Sequence, residues 1–228
     1  MTATPPRPAA APPSAFLVAH GAGNRLDDLR AAEALGVALV EADVRLFRGR
    51  PEVRHLKTVG PLPLYWDRWT LAPPWRRHLR LGELLAATHA RTELMLDLKG
   101  ARSRLAALVA AEIARLGDAR RLTVCARSWR LLEPFESLAV RRVYSVGSAR
   151  QLRRLLGRFP DGRLDAVSVH ARLLDRHVVA QLREIATTVM TWPVNDAARA
   201  RALLGLGVHG LISDAPERVA GALPRADR

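Results

Sequence analysis

The sequence predicts a single-domain α/β fold, a (β/α)8 barrel of the TIM type. Short apolar runs recur along the 228-residue chain, a segment with helical periodicity separates each run from the next, and eight such pairs can be counted. Strands that are short and apolar throughout are typical of a parallel sheet buried on both faces. An open doubly wound sheet is the alternative, but the first strand-to-helix turn, Gly21-Ala22-Gly23-Asn24, lacks the third glycine of that fold's phosphate-binding fingerprint.

Each strand is predicted from an apolar run that is too short for a helix and is followed by turn-forming or charged residues. The first run, Phe16–Ala19, is bounded by His20 and two glycines. The eight predicted strands are Phe16–Ala19, Val37–Leu46, Glu93–Leu98, Leu122–Ala126, Arg142–Val146, Ala166–Val169, Thr188–Trp192 and Gly210–Ser213. A further extended piece, Glu52–Leu56, follows the second strand.

The helices between the strands are predicted from apolar residues at helical spacing. The first has Asp27 and Asp28 in its opening turn and ends at Gly36, a residue suited to a left-handed C-terminal cap. The eight predicted helices are Leu26–Leu35, Leu81–His89, Ser103–Leu116, Ser128–Leu138, Ala149–Phe159, Asp175–Ile185, Ala197–Leu206 and Pro216–Ala222. We therefore expect the barrel to span residues 16–222, between a disordered Pro- and Ala-rich tail at 1–15 and a short tail at 223–228.

Composition excludes several other classes of protein. Apolar residues make up 49% of the chain and charged residues 25%, which excludes a wholly disordered protein. The single cysteine, Cys125, cannot form an intramolecular disulfide, and no apolar run approaches the ~20 residues needed to cross a bilayer. We expect a cytoplasmic protein without stable membrane insertion. The sequence does not indicate an oligomeric state.

The chain is strongly basic, with 36 lysines and arginines against 22 acidic residues and a net charge of +14. Such a charge is compatible with an anionic partner. The arginines are spread through the predicted helices, however, and no run of five basic residues with interleaved aromatics occurs. We therefore expect a small-molecule partner and no nucleic acid.

Polar residues with catalytic potential gather at the predicted C-terminal strand ends, where the loops of a (β/α)8 barrel build the active site. Side chains two residues apart on a strand point to the same face. Glu41 and Asp43 form one such pair on the second strand, and Asp97 and Lys99 form another at the end of the third. The candidates at this end of the barrel are His20, Glu41, Asp43, His55, Asp97 and Lys99.

Three carboxylates that converge in one barrel mouth repel one another unless a cation neutralises them, and oxygen ligands suit Mg²⁺ or Ca²⁺. A divalent metal near Glu41, Asp43 and Asp97 is therefore expected. The two histidines suit proton transfer at neutral pH and Lys99 suits an anionic centre, which is consistent with phosphoryl-ester chemistry. The alternative is that the acids form ordinary ion pairs with Arg45 and Lys99 inside a barrel core.

Four motifs carry these residues, in the order His20-Gly21-Ala22-Gly23-Asn24, Val40-Glu41-Ala42-Asp43-Val44-Arg45, Val53-Arg54-His55 and Leu96-Asp97-Leu98-Lys99. Two further motifs follow them, Thr191-Trp192-Pro193-Val194-Asn195-Asp196 and Leu206-Gly207-Val208-His209-Gly210-Leu211-Ile212-Ser213-Asp214-Ala215-Pro216. Taken in that order, they resemble the glycerophosphodiester phosphodiesterase family over residues 16–220. The resemblance implies a (β/α)8 barrel that uses a divalent metal to hydrolyse a glycerophosphodiester, a small-molecule phosphodiester, to glycerol 3-phosphate and an alcohol.

The resemblance also implies roles for individual residues. By position, the acid and base pair is His20 and His55, the metal ligands are Glu41, Asp43 and Asp97, and the phosphate contact is Lys99. From its position at the end of the seventh predicted strand, Trp192 is a further candidate, whose ring would cover the glycerol or the alcohol moiety. The alternative for Trp192 is simple core packing.

The chain departs from the family pattern near the phosphate. Gly21 stands where the family usually has an arginine that binds phosphate, and Asp97 stands where it more often has a glutamate. The candidates for supplying the missing positive charge are Arg25, Arg45 and Lys57. Because a bidentate guanidinium is not simply replaced from another direction, these departures bear directly on substrate binding.

Two other functions are compatible with the sequence. A lipid-directed phosphodiesterase related to sphingomyelinase D would use a similar set of histidines and carboxylates around a metal. Alternatively, a catalytically silent barrel would bind an anionic ligand or a partner, an interpretation that the loss of the arginine at Gly21 favours. Retention of both histidines and all three carboxylates favours an enzyme, because buried acids without a cation destabilise a fold.

Overall fold

The computed structural model describes residues 14–58, 65–67, 70–72, 77–89, 91–116, 122–160 and 164–224. Most of the two predicted tails lies outside these residues, so the tail boundaries stay predictions. The strands and helices are, in chain order, β1 (Phe16–Ala19), α1 (Leu26–Leu35), β2 (Leu39–Phe47), β3 (Arg50–Val53), β4 (Lys57–Thr58), β5 (Tyr65–Asp67), β6 (Thr70–Ala72), β7 (Leu79–Arg80), α2 (Leu81–Ala87), β8 (Glu93–Leu98), α3 (Ser103–Leu116), β9 (Leu122–Ala126), β10 (Arg141–Val146), α4 (Ala149–Arg158), β11 (Leu164–His170), α5 (Arg176–Ile185), β12 (Ala186–Trp192), α6 (Ala197–Gly205), β13 (Gly210–Ser213) and α7 (Pro216–Val219).

Eight parallel strands close into a barrel, which confirms the predicted fold class. β1 pairs with β2 on one side and with β13 on the other, so the sheet has no open ends among these eight strands. Between β2 and β13 the strands β8, β9, β10, β11 and β12 follow in chain order, each paired in parallel with the next. All eight C-terminal strand ends therefore meet at one mouth.

The barrel interior has an apolar core of its own. Each barrel strand contributes one buried residue to it, and the eight are Val18, Leu39, Met95, Cys125, Val143, Ala166, Met190 and Ile212. A second, larger core contains strand residues such as Leu96 together with helix residues such as Val109 and Ile113. Because successive strand residues alternate between two apolar environments, the strands have nearly continuous apolar sequences.

Local sequence signals set the helix ends. Ser148, Asp175 and Asp196 precede α4, α5 and α6, and their side-chain oxygens accept hydrogen bonds from first-turn backbone N–H groups. Gly36 follows α1 with a φ of 72° and donates its N–H to carbonyls of the last turn, which confirms the predicted C-terminal cap. Among the helices that the structure describes, none is long and apolar enough to cross a membrane.

The segment after β9 differs from its prediction. The sequence predicts an α-helix over Ser128–Leu138, whereas the structure forms a 3₁₀-helix over Trp129–Phe135. Pro134 lies inside this segment and has no backbone N–H, and its ring would clash with the carbonyl four residues earlier in an α-helix. The tighter helix still buries Trp129 and Phe135 in the outer core.

A β-hairpin extends from the C-terminal end of β2. β3 pairs antiparallel with β2, and β7 pairs antiparallel with β3. Arg48 and Gly49 form the turn with positive φ values of 45° and 78°, the combination typical of a type I′ turn. The piece predicted as extended at Glu52–Leu56 belongs partly to this hairpin, and a small antiparallel sheet of β4, β5 and β6 follows it.

Candidate active site

Strand alternation brings the predicted site residues to the barrel mouth. Val18, Leu39 and Met95 lie in the inner core of the barrel. Residues two or four positions further along the same strands point to the same side, and they reach the C-terminal ends of β1, β2 and β8. The residues placed at the mouth in this way are His20, Glu41, Asp43, Asp97 and Lys99.

Three carboxylates form the centre of this site. Oxygens of Glu41, Asp43 and Asp97 lie within 4.8 Å of one another. Glu41 is 2% exposed and Asp43 is fully buried. Carboxylates this close, and this far from water, strongly disfavour one another's charge unless cations compensate it.

The backbone of the first loop supports Glu41. Gly21 adopts the left-handed region with a φ of 67°, and its N–H donates to Glu41 Oε2 at 2.6 Å. His20 Nε2 lies 3.8 Å from the same oxygen. Burial, reinforced by the charge of Asp43, raises the pKa of Glu41 to about 7. The charged form of Glu41 is therefore disfavoured unless a cation lies close to it.

Asp43 is the most highly connected of the three acids. Its Oδ2 accepts from Asn24 Nδ2 at 2.8 Å and lies 3.0 Å from His55 Nδ1, while its Oδ1 lies 2.7 Å from Lys99 Nζ. The Asp43 backbone N–H in turn donates to Asn24 Oδ1 at 2.9 Å. Burial acts to raise the pKa of Asp43, but the hydrogen bond from His55 and the charge of Lys99 outweigh it and lower the pKa.

Lys99 bridges two of the acids. Its Nζ donates to Asp97 Oδ2 and forms an ion pair with Asp43. Burial acts to lower the pKa of Lys99, but the charges of Asp97, Glu41 and Asp43 raise it above its usual value. Lys99 is therefore charged at neutral pH, and one lysine offsets one of the three carboxylate charges.

The donor set fits a hard divalent cation. Glu41 Oε1 and Asp97 Oδ1 are buried, and neither has a hydrogen-bond partner within the described part of the chain. Both oxygens belong to the carboxylate group described above, which offers three oxygens within 4.8 Å of one another. Oxygen ligands without sulfur or imidazole are typical of Mg²⁺ and Ca²⁺ sites.

A separate carboxylate orients His20. Asp214, which follows β13, places Oδ1 2.6 Å from His20 Nδ1. Asn195 fixes Asp214 from both sides, because its side-chain N–H donates to Asp214 Oδ2 at 3.0 Å and its Oδ1 accepts from the Asp214 N–H at 2.9 Å. Burial acts to lower the pKa of His20, but the charges of Glu41 and Asp214 raise it above the ordinary value.

His55 reaches the same site from the hairpin. It is 52% exposed and its Nδ1 contacts Asp43, so each histidine is held at Nδ1 by a different carboxylate. Arg45 Nε donates to the His55 carbonyl at 3.3 Å. Both histidines line a cavity of about 700 Å³ together with Asp28, Asp214 and Glu217.

The other residues predicted to contact the substrate, Arg45, Lys57 and Trp192, lie apart from one another, on three different strands. Arg45 and Lys99 line a second cavity, of about 890 Å³, beside the carboxylates. Lys57 Nζ lies 4.8 Å from the centroid of the Trp66 ring. Trp192 lies on β12, where His170 packs against its ring at 4.7 Å, and Arg127 lies 4.9 Å from the ring centroid.

The sequence analysis missed three side chains at the mouth. Asn24 and Asp214 lie in the first and last of the motifs given above, and Arg127 follows the fourth predicted strand. A signal for two of them exists, because Asp214 follows the inner-core residue Ile212 by two positions and Arg127 follows Cys125 by two. Extending each strand's inward face by one more residue would have found both.

The fold and the carboxylate cluster define a (β/α)8 barrel with a candidate metal site at its mouth, and solved structures with the same fold are known. The chain is similar to an Oleispira antarctica phosphodiesterase, solved in complex with the product sn-glycerol-3-phosphate, with a TM-score of 0.72 and 19% identity over 91% of this chain and 96% of that one. It is also similar to glycerophosphodiester phosphodiesterases from Parabacteroides distasonis (TM-score 0.72, 17% identity, 92% and 97% covered) and Thermotoga maritima (TM-score 0.68, 17% identity, 91% and 97% covered).

Comparisons with family models and with curated proteins find no match. At identities of 17–19%, the likeness to solved structures establishes the fold. The fold that the resemblance of the sequence motifs implied is therefore confirmed.

Proposed function

We propose that this protein is a metal-dependent phosphoric diester hydrolase that cleaves glycerophosphodiesters to glycerol 3-phosphate and an alcohol. The observation that carries the proposal is the pairing of two histidines, each held at Nδ1 by a carboxylate, next to three clustered acids. Asp214 holds His20, and Asp43, which is itself one of the three acids, holds His55. Such pairing fixes the ring orientation and the tautomer of a histidine that transfers protons. The names of the structural neighbours support the same reaction class.

The two histidines exchange protons with the substrate. With Nδ1 bound to Asp214, His20 has Nε2 for the reacting atoms, and with Nδ1 bound to Asp43, His55 has its Nε2 in the same cavity. One ring accepts the proton of the attacking hydroxyl or water, and the other donates a proton to the leaving alcohol oxygen. The proton count then balances over one cleavage of the P–O bond.

Glu41, Asp43 and Asp97 would hold the divalent cation, which when bound supplies positive charge to the phosphoryl oxygens. Lys99 keeps Asp43 and Asp97 in place and adds a fixed positive charge for the phosphate. Asn24 orients Asp43 through two hydrogen bonds, one to the carboxylate and one from the backbone N–H.

Gly21 leaves the first loop without the cationic side chain that the family usually has at this position. A side chain there would be strained, because the backbone φ is 67°, and the Gly21 N–H is committed to Glu41. Arg45 is the cation best placed to compensate, since it is bonded to the backbone of His55 and faces the same site. We propose Arg45 as a substrate contact, with Lys57 and Trp192 at the edge of the mouth.

The test is release of glycerol phosphate from glycerophosphocholine and glycerophosphoethanolamine in Mg²⁺, in Ca²⁺ and in EDTA. We expect turnover with metal, none with EDTA, and a loss of at least about a hundredfold in His20→Ala and in His55→Ala, in line with typical contributions of general acid–base catalysis. His177→Ala, at an exposed histidine on α5, is the matched control and should keep full activity. Turnover that survives EDTA and both substitutions would contradict the proposal.

A second candidate function is a silent barrel that binds an anionic ligand. The specific observation in its favour is Gly21, which leaves the first loop without a cationic side chain. This candidate predicts binding of glycerol phosphate with no hydrolysis of either diester under any metal condition. Metal-dependent hydrolysis would exclude it.

A further inference from the structure

A basic cavity lies beside the carboxylate group, between the β2–β3 hairpin and the first turn of α3. Its volume is about 890 Å³. Six cationic side chains line it, namely Arg45, Arg48, Arg54, Lys99, Arg102 and Arg104. Arg104 spans the cavity, because its Nη2 comes within 3.4 Å of the position that a Cβ on Gly49 would occupy.

The positive charge in this cavity exceeds the negative charge that compensates it. Arg54 pairs with Glu52 at 2.9 Å, and Lys99 pairs with the carboxylates of the site. Arg48, Arg102 and Arg104 form no ion pair with an acidic residue in the described part of the chain. Cations that converge on one cavity without counter-charges repel one another, and an anion bound among them removes that repulsion.

The turn that presents Arg48 has an unusual backbone. Arg48 adopts a φ of 45°, a left-handed conformation that is common for glycine and that L-residues other than asparagine and aspartate seldom adopt. Its guanidinium lies 5.2 Å from the centroid of the Phe47 ring, and that of Arg54 lies 5.6 Å from the same ring. The hairpin therefore gathers two guanidinium groups at one wall of the cavity.

Two residues of the cavity wall also contact residues of the proposed reaction site. Lys99 lines it and also contacts Asp43 and Asp97, while Arg45 lines it and donates to the His55 carbonyl. The two histidines instead line the other cavity, whose charged rim is acidic. A diester has two ester groups, one on each side of its phosphate. If the phosphate is bound at the carboxylate group, one ester group would therefore extend toward the cavity with the acidic rim, and the other arm of the diester would extend toward the basic cavity.

We infer that the preferred substrate carries a second negative charge on the arm that enters the basic cavity, such as an alcohol bearing its own phosphate. This inference rests on the proposed function and narrows it to diesters with an anionic arm. Guanidinium groups recognise phosphate through paired, charge-assisted hydrogen bonds. Arg48, Arg102 and Arg104, which form no ion pair with an acidic residue in the described part of the chain, are the residues that would form these hydrogen bonds.

The test compares two ligands that differ in one phosphate, glycerophosphoglycerol and the same compound phosphorylated on its second glycerol. Affinities are measured by calorimetry in Mg²⁺ on the His20→Ala protein, where turnover does not interfere. We expect the phosphorylated ligand to bind at least about tenfold more tightly, the usual value of one charge-assisted contact. Inorganic phosphate is the third probe.

The decisive variant is Arg48→Asn/Arg102→Gln/Arg104→Gln. Asparagine suits the left-handed turn position, so the hairpin is retained while three charges are lost. The matched control, Arg153→Gln/Arg176→Gln/Arg201→Gln, removes three exposed charges from α4, α5 and α6. We expect the first variant to bring the ratio of the two affinities to about one and the control to preserve it.

The possible outcomes separate this inference from the function on which it rests. A ratio near one in the parent protein, or a ratio that survives the decisive variant, would overturn the inference. Inorganic phosphate binding as tightly as the phosphorylated diester would also overturn it, because the cavity would then be a site for free anions. An arginine-dependent ratio with no hydrolysis by the unmutated protein would instead refute the proposed function and leave the anion-binding cavity.

Discussion

At the scale of single residues, Asp214 is a positioning residue whose effect on catalysis can be isolated. Its Oδ1 lies 2.6 Å from His20 Nδ1, and it is not one of the three clustered acids Glu41, Asp43 and Asp97. We expect Asp214→Asn to lower kcat by roughly tenfold to a hundredfold, the range typical of residues that orient a functional side chain, and to change KM little.

The control for this prediction is Asp28→Asn, which removes another carboxylate from the same cavity. Asp28 contacts Arg25 at 3.5 Å and is 54% exposed, so its loss should leave kcat unchanged. Steady-state kinetics on glycerophosphocholine measures both variants. Equal effects of the two substitutions would show that only the charge of the cavity matters.

His209 makes a prediction about stability and pH. Its ring is buried, and Nδ1 accepts the Val189 N–H at 3.0 Å, so the neutral form is the one that fits. Burial, assisted by the charge of Arg183, lowers the pKa of His209 below 6.5. As pH falls, the unfolded chain therefore binds a proton at this histidine at a higher pH than the folded protein does. The free energy of unfolding should then decrease below about pH 6.5.

His209→Asn retains an acceptor for Val189 but does not titrate in this range. We expect urea unfolding at pH 7.5 and pH 5.5 to show a smaller loss of stability for His209→Asn than for the unmutated protein. The exposed His177→Asn serves as the control and should follow the unmutated protein. An unchanged pH dependence in His209→Asn would contradict this account.

The side of each strand on which a residue lies was the feature of the site easiest to predict from the sequence. The two-residue period of a strand predicts that Glu41 and Asp43 point to one side, and likewise Asp97 and Lys99. The structure brings all four side chains together. The partners of the histidines were harder to predict, because Asp214 is 194 positions from His20 along the chain. Such contacts depend on barrel closure, which no local pattern encodes.

At the scale of elements, the short turn after β1 depends on Gly23. A Cβ there would lie 2.7 Å from Ala42 Cβ and 3.1 Å from the Glu41 carbonyl, so the 3₁₀ turn over Ala22–Asn24 packs directly on β2. We expect Gly23→Ala to destabilise the protein by about 1–3 kcal/mol, the usual effect of overpacking, as measured by urea unfolding.

The matched control is Gly157→Ala within α4. A Cβ on Gly157 meets nothing within 4 Å, and alanine in a helix interior is favoured over glycine by about 1 kcal/mol. The two substitutions of the same type should therefore change stability in opposite directions. Destabilisation of similar size in both would refute the role assigned to the close approach of Gly23 to β2.

Helices and strands have the predicted bounds where a single sequence pattern predicts them. Phe16–Ala19, Leu26–Leu35, Glu93–Leu98 and Ser103–Leu116 have the predicted bounds. The two strands are short, mainly apolar runs, and the two helices have apolar residues at helical spacing. The segment around Pro134 did not follow, since apolar spacing favoured an α-helix while the proline excludes one. The β2–β3 hairpin was also missed as a unit, because Arg48-Gly49 is an uncommon form of the type I′ turn.

At the scale of the whole molecule, the barrel was predictable because its signal repeats eight times, so single errors such as the 3₁₀-helix do not change the topology. Charge placement was not predictable in the same way. The chain carries a net charge of +14, yet three acids converge at the barrel mouth while five arginines line the adjoining cavity. This separation of charge within one mouth depends on three-dimensional neighbours rather than on composition.

The same charge arrangement makes metal binding measurable through global stability, independently of catalysis. Three carboxylates face one lysine, so a divalent cation that binds only the folded barrel should stabilise it. At a metal concentration a hundred times Kd the gain is about 2.7 kcal/mol. We expect Mg²⁺ or Ca²⁺ to raise Tm in a concentration-dependent manner, and EDTA to reverse the increase. Asp97→Asn should abolish the metal-dependent increase because it removes a ligand charge, whereas Asp27→Asn, at a position 89% exposed on α1, should retain it. An equal increase in both variants would place the metal elsewhere and leave the three acids to be neutralised by Lys99 and protons alone.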